Sequence, residues 1–167
     1  MSELTEFRNQ KDEFFKHDPH SPLTPEQRTN FKGLKYFPEN QTLDFELKIQ
    51  PFEEQDTIHM QTSTGDIQTY TRYGKIRFEV DGEEVELTIY QSHHGYFIPF
   101  VDANAGKLTY GAGRYLDPPP LPGDRILVDF NQAYNPYCAY NDLYSCPIPP
   151  AENRLSVAIE AGEMNYK

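Results

Sequence analysis

The residues best equipped for chemistry crowd into one stretch, Asp129 to Asn153, which holds both cysteines, Cys138 and Cys146. Seven residues separate the two sulfurs, a spacing found neither in zinc ribbons nor in Cys-x-x-Cys redox sites. As metal ligands, with zinc the alternative cofactor, the pair would need two partners, and His93 and His94 are the obvious suppliers. Adjacent residues on a strand point to opposite faces, so one of the two histidines at most can join without a bend. As a nucleophile, Cys146, just before Pro147, would need a nearby cation or histidine to ionise it. A disulfide would constrain the unfolded chain by roughly 2–3 kcal/mol. The plain structural reading, two small buried hydrophobes bracing an irregular loop, is the one the spacing favours.

A second set mixes charges with amides: Arg114, Asp117, Asp129, Asn131, Asn135, Glu152 and Asn153. Asn and Asp side chains satisfy the backbone of irregular segments, and Arg114 with Asp129 or Glu152 could form a bidentate pair. The functional reading makes Arg114 the receptor of an acidic small molecule or a partner's carboxylate, in a pocket floored by Tyr110, Tyr115 and Tyr134. No HExxH, phosphate-cradling glycine loop or G-x-S-x-G elbow is present. No cofactor is expected.

These residues must be held by the rest of the 167-residue chain, a length that suits one domain. Mean hydropathy is low, at −0.74, yet 12 Tyr and 11 Phe supply enough apolar area for a core. Fifteen Lys and Arg stand against 26 Asp and Glu, a net charge of −11. With no basic run longer than a pair, nucleic acid and anionic membranes are disfavoured as partners. The acidic segment Met1 to Arg8 does not read as a secretory signal, and no stretch approaches the ~20 apolar residues of a spanning helix. A cytoplasmic location, where thiols stay reduced, is expected.

Leu4, Phe7, Lys11, Phe14 and Phe15 trace one face of a helix from about Glu3 to Lys16, with Ser2 as its cap. Thr24, Pro25 and Gln27 open a second, short helix through a capping box. From Leu43 the period becomes two. Strands are expected at 43–49, 57–63, 67–73, 75–80, 83–92, 96–101, 107–110, 126–130 and 155–161, with hairpins at Thr64 to Asp66 and at Asp81-Gly82. The fold class that follows is mainly β: an antiparallel barrel or sandwich under two N-terminal helices, with Asp129 to Asn153 as a proline-stiffened flap. Edge strands of an incompletely closed barrel can pair between chains, so both a monomer and a homodimer are compatible with this pattern.

Several segments then resemble a known family. They are Ser21-Pro22-Leu23, Phe31 to Pro38, Phe97 to Asp102, Tyr110 to Asp117, Asp129 to Pro136 and Cys146 to Asn153. On these the chain is similar to the bacterial and archaeal proteins catalogued as domain of unknown function 1684, with Val101 a small departure. The resemblance implies a compact, mainly β domain and brings no activity, cofactor or catalytic residue with it. Two functions are therefore carried forward: a binding domain centred on Arg114, or a thiol- or metal-assisted hydrolase using Cys138 or Cys146.

Overall fold

Helix α1 (Glu3–His17) and helix α2 (Pro25–Thr29) form where the capping and apolar spacing predict. The computed structural model describes residues 3–166, so the expected cap Ser2 lies outside the described residues. Thr24 Oγ1 accepts from the Gln27 amide and the Gln27 side chain accepts from the Thr24 amide, the reciprocal bonds of a capping box. On α1, Phe15 is buried with Leu23, Phe31 and Tyr140, while Phe7 stays 41% exposed. Lys11, on the same stripe, reaches into the protein instead of out to solvent. No helix among the described residues is long and apolar enough to cross a membrane.

The strands are β1 (Asp44–Lys48), β2 (Gln50–Pro51), β3 (Thr57–Gln61), β4 (Ile67–Val80), β5 (Glu83–Ser92), β6 (Gly95–Phe100), β7 (Arg114–Leu116), β8 (Pro120–Leu121) and β9 (Arg125–Asp129). They make two antiparallel sheets, β1-β9-β8 and β2-β4-β5-β6-β7, with β3 also paired to β4. Both sheets contribute to one core, including Ile76, Leu87, Ile89 and Ile98 from the larger and Ile126 and Val128 from the smaller. Each such side chain stabilises the fold by about 1.5–3 kcal/mol. The sheets do not close into a barrel. β7 is three residues long and runs into Pro118, Pro119 and Pro120, which lack the N–H groups to extend a ladder.

The Asp81-Gly82 hairpin is as predicted, with both residues at positive φ (50° and 82°). The two strands expected at 67–73 and 75–80 are one strand of 14 residues, β4. Its register slips midway: Arg72 lies opposite Tyr90, but Gly74 lies opposite Ile89, leaving Tyr73 as an extra residue. Side chains directly opposite share a face, so Tyr70 and Arg72 project on the side of Tyr90, whereas Ile76 and Phe78 join Leu87 and Val85 in the core. Gly74 permits the kink, because a Cβ there would sit 2.7 Å from the Gln50 carbonyl oxygen.

Two expected strands are absent. Residues 107–110 fold into turns in which the Asn104 carbonyl accepts from Lys107, Leu108 and Thr109. Residues 155–161 run as irregular chain after a single bridge between Val101 and Arg154. The carbonyls of Ile159, Ala161 and Glu163 are turned toward a buried guanidinium instead of a neighbouring strand.

Candidate functional site

Alternation along β7 divides the expected site residues into two groups. Arg114 and its successor Tyr115 point to opposite faces. Arg114 is 1% exposed, inside the molecule. Its Nη1 donates to the carbonyls of Ala161 and Glu163, its Nη2 to that of Ile159 at 2.9 Å, and Asp102 Oδ2 lies 3.6 Å away. The rings of Phe37 and Phe100 flank the guanidinium. Burial lowers its pKa to about 10, against the opposing pull of Asp102 and Glu163, so it stays charged at neutral pH. The expectation that Arg114 receives an acidic ligand is corrected: it is a structural cation whose fork is spent on the chain's own C-terminal carbonyls.

Most of the amides and acids expected around it are also structural. Asn153, fully buried, accepts from the Thr88 amide and donates to the Thr88 and Pro99 carbonyls. Asp129 caps the short turn that follows β9, and Asn131 bonds both Asp129 and the Asn40 backbone. Asn135 binds the Glu163 carboxylate through its own amide and the Met164 carbonyl through its side chain. Glu152 takes a forked pair of bonds from Arg72 and a bond from the Tyr90 hydroxyl, so the pairing of Glu152 with Arg114 is not formed. Burial pushes the Glu152 carboxyl up, but these bonds outweigh it and hold it below the usual carboxylate range.

Sequence reading missed Glu163. Its carboxylate, 2% exposed, accepts from Lys11 Nζ, Tyr140 Oη and the Asn135 amide. This one acid ties α1 to the flap. Its position in the polar tail Glu160 to Lys167 carries no pattern that would single it out.

The other face of β7 looks onto an open cleft of about 660 Å³. Tyr115 and Tyr134, both expected, line it, and so do Tyr70, Phe97, Tyr137 and Tyr144. The bulge in β4 is what brings Tyr70 to this side. Tyr70 stacks on Phe97 with centroids 5.2 Å apart, Phe97 meets Tyr115 edge-on at 4.8 Å, and Tyr115 meets Tyr134 edge-on at 5.8 Å. Three of the hydroxyls are committed: Tyr70 to Gln68, Tyr115 to the Pro147 carbonyl, and Tyr134 to Asp117 Oδ2 at 2.6 Å. What the cleft offers is chiefly ring surface, together with one carboxylate.

Solvent reaches Asp117, but it is set in the cleft wall. Burial raises its pKa, against the opposing hydrogen bond from Tyr134 and the attraction of Lys11. Among the described residues Asp117 has no ion-pair partner, whereas the other charge on the cleft, Lys11, is neutralised by Glu163. Lys11 Nζ also sits 5.1 Å from the Tyr134 ring centroid.

Cys146 lines the same cleft and Cys138 lies just beneath it, both as free thiols and both 7% exposed. The Cys138 amide donates to Cys146 Sγ at 3.2 Å, and Tyr110 Oη lies 3.8 Å from Cys138 Sγ. Tyr110, expected on the floor of a binding pocket, thus serves the thiols. His93 and His94 form the exposed turn between β5 and β6, and only His94 borders the cleft. Among the described residues no three His, Cys, Asp or Glu side chains are grouped to hold a metal ion, so the expected alternative of a zinc site built from the two thiols and a histidine is not assembled. Neither sulfur has a histidine or carboxylate hydrogen-bond partner among the described residues, so the base that a thiol hydrolase requires is not in place.

Fold and site together define a small, mainly β domain with an aromatic cleft between sheet and flap. The chain belongs to the family described as "Protein of unknown function (DUF1684)", whose profile matches residues 29–164. It is similar to the uncharacterized protein from gene locus rrnAC0354 of Haloarcula marismortui, solved in solution by NMR. The two are 36% identical and superpose with a TM-score of 0.72 over 96% of this chain and 91% of that one. No curated protein matches the chain.

Proposed function

We propose that the cleft binds a small organic molecule with a flat or apolar body and a cationic, hydrogen-bond-donating head. The body lies against the rings of Tyr70, Phe97 and Tyr115, and the head faces Asp117. One observation carries this reading: a cavity walled by seven Tyr and Phe rings presents a single carboxylate that has no counter-ion among the described residues. Ring faces attract cations, and a carboxylate at the rim adds to that attraction. An acidic ligand is the weaker choice, because Arg114 is sealed in the core, Lys11 is already paired, and the net charge of −11 repels anions.

Calorimetric titration with two probes of like shape, benzyltrimethylammonium and benzoate, tests this. The ammonium is expected to bind and the benzoate to fail, with Asp117→Asn weakening the ammonium about tenfold. Preferential binding of benzoate, or ammonium binding that Asp117→Asn leaves unchanged, would refute it.

A further inference from the structure

Two free thiols lie together under the rim of an open cleft, with polar groups aimed at their sulfurs. Cysteines that serve only as packing sit in apolar surroundings and stay inert. Here the Cys138 amide points at Cys146 Sγ, and the Tyr110 hydroxyl lies against Cys138 Sγ. Cys146 is also fixed from outside the flap: its amide donates to Ser63 Oγ, and its carbonyl accepts from the Ser63 amide at 2.9 Å. One sulfur is thus held at the end of β3 and the other on the turn Tyr137–Ala139. The chain between them bulges to solvent at Leu143, which is 88% exposed.

We propose that Cys138 and Cys146 form a redox-active dithiol that a small hydroperoxide, entering through the cleft, oxidises to an intramolecular disulfide. Cys146, which faces the cleft, attacks as its thiolate. Its sulfur bonds to one peroxide oxygen, the O–O bond breaks, and the departing hydroxide takes up a proton to become water. The resulting sulfenic acid is attacked by the Cys138 sulfur, which forms the S–S bond and expels the second oxygen as water. Two thiols and one hydrogen peroxide become one disulfide and two waters, and a dithiol reductant reverses the change. The two thiols titrate as a pair: the hydrogen bond between them eases loss of the first proton and opposes loss of the second, and the Cys138 amide, 3.2 Å from Cys146 Sγ, favours the shared charge on the sulfur at the cleft. The spacing of seven residues poses no obstacle once the flap folds back and brings the thiols into contact.

The test is equimolar hydrogen peroxide on the reduced full-length protein, followed by iodoacetamide and peptide mapping. The expected product has lost two hydrogens, retains no added oxygen, joins Cys138 to Cys146 and reverts with dithiothreitol. It should form at least about tenfold faster than glutathione oxidises under the same conditions. Cys138→Ser should stop the sequence at a sulfenic acid on Cys146, trapped by dimedone, and Cys146→Ser should react no faster than glutathione. Two alkylatable thiols after peroxide treatment, or a disulfide only between molecules, would overturn the proposal. The wild-type mapping stands alone should either serine variant fail to fold.

Discussion

Arg114 and Tyr115 are neighbours in the chain, yet they belong to regions built on opposite rules. On one side of β7, charges are buried and engaged: Arg114 bonds three carbonyls through its Nη atoms beside Asp102, with its buried Nε left unpartnered among the described residues, and Glu163 accepts from Lys11, Tyr140 and Asn135. On the other side, rings face an open cleft and one carboxylate has no counter-ion among the described residues. Desolvating a charge is expensive, so the buried set persists only because its donors and acceptors are nearly all met within the chain. Its unpartnered atoms, Arg114 Nε and Asn135 Oδ1, are sealed from solvent. The cleft is the reverse case, with its surface available and its stabilising role small. Richness in charge and aromatic residues therefore does not by itself mark a site; what matters is whether partners inside the chain have already used it.

The largest effect expected from this contrast is at Arg114. Arg114→Met should cost about 3–5 kcal/mol, because Asp102 and three carbonyls lose their partner inside the core. Urea unfolding measures it, and a cost below 1 kcal/mol would dissolve the distinction between the two regions. Glu163→Gln should come next, at about 2–3 kcal/mol, through loss of charged hydrogen bonds to Lys11 and Tyr140. Combining it with Lys11→Met should cost less than the sum of the two single changes, since both remove the same interaction. A strictly additive result would mean that α1 is held by other contacts.

Arg72 and Glu152, half-buried on the cleft side of β4, should sit between these extremes. Glu152→Gln is expected to cost about 1 kcal/mol at pH 7. The folded-state pKa of Glu152 is lowered, so this contribution is present above the ordinary carboxylate range and is lost as pH falls through the lowered value. Unfolding free energies of wild type and variant should therefore converge once the pH is below that lowered value, and a gap that persists there would assign the effect to packing. Smallest of all is Asp117→Asn, expected to change stability by less than about 0.5 kcal/mol while removing the preference for an ammonium probe. A large loss of stability would move Asp117 into the structural class.

Much of the fold was legible because local chemistry decides it. Thr24 with Gln27, and Asp81 with Gly82, each satisfy a cap or a turn without help from distant residues. Leu43 to Ile49 and Val85 to Ile89 alternate as a one-sided strand must. Residues 155–161 misled because their apolar spacing is real, yet their carbonyls serve Arg114, which no local pattern reveals. The site was half legible. Tyr115 and Tyr134, expected on a pocket floor, lie along a cleft, but grouping Arg114 with them overlooked the period of two that separates adjacent strand residues. Lys11 and Glu163, 152 positions apart, meet only through the tertiary fold. Tyr70 carried no signal, because its parity matches that of the core residues Ile76 and Phe78.

That last point gives the extra residue in β4 a meaning beyond geometry. Removing Tyr73 would leave composition, charge and the run of β-forming residues nearly unchanged. It would also leave Arg72 opposite Tyr90 and Gly74 opposite Ile89, now as successive rungs of a regular ladder, so cleft wall and core would keep their sides. In this stretch the face is set by which residues pair. A lineage can drop the codon for Tyr73, or let Tyr70 drift to another ring, and keep its cleft, but it cannot draw Tyr73 into the ladder without turning Tyr70 and Arg72 toward the core.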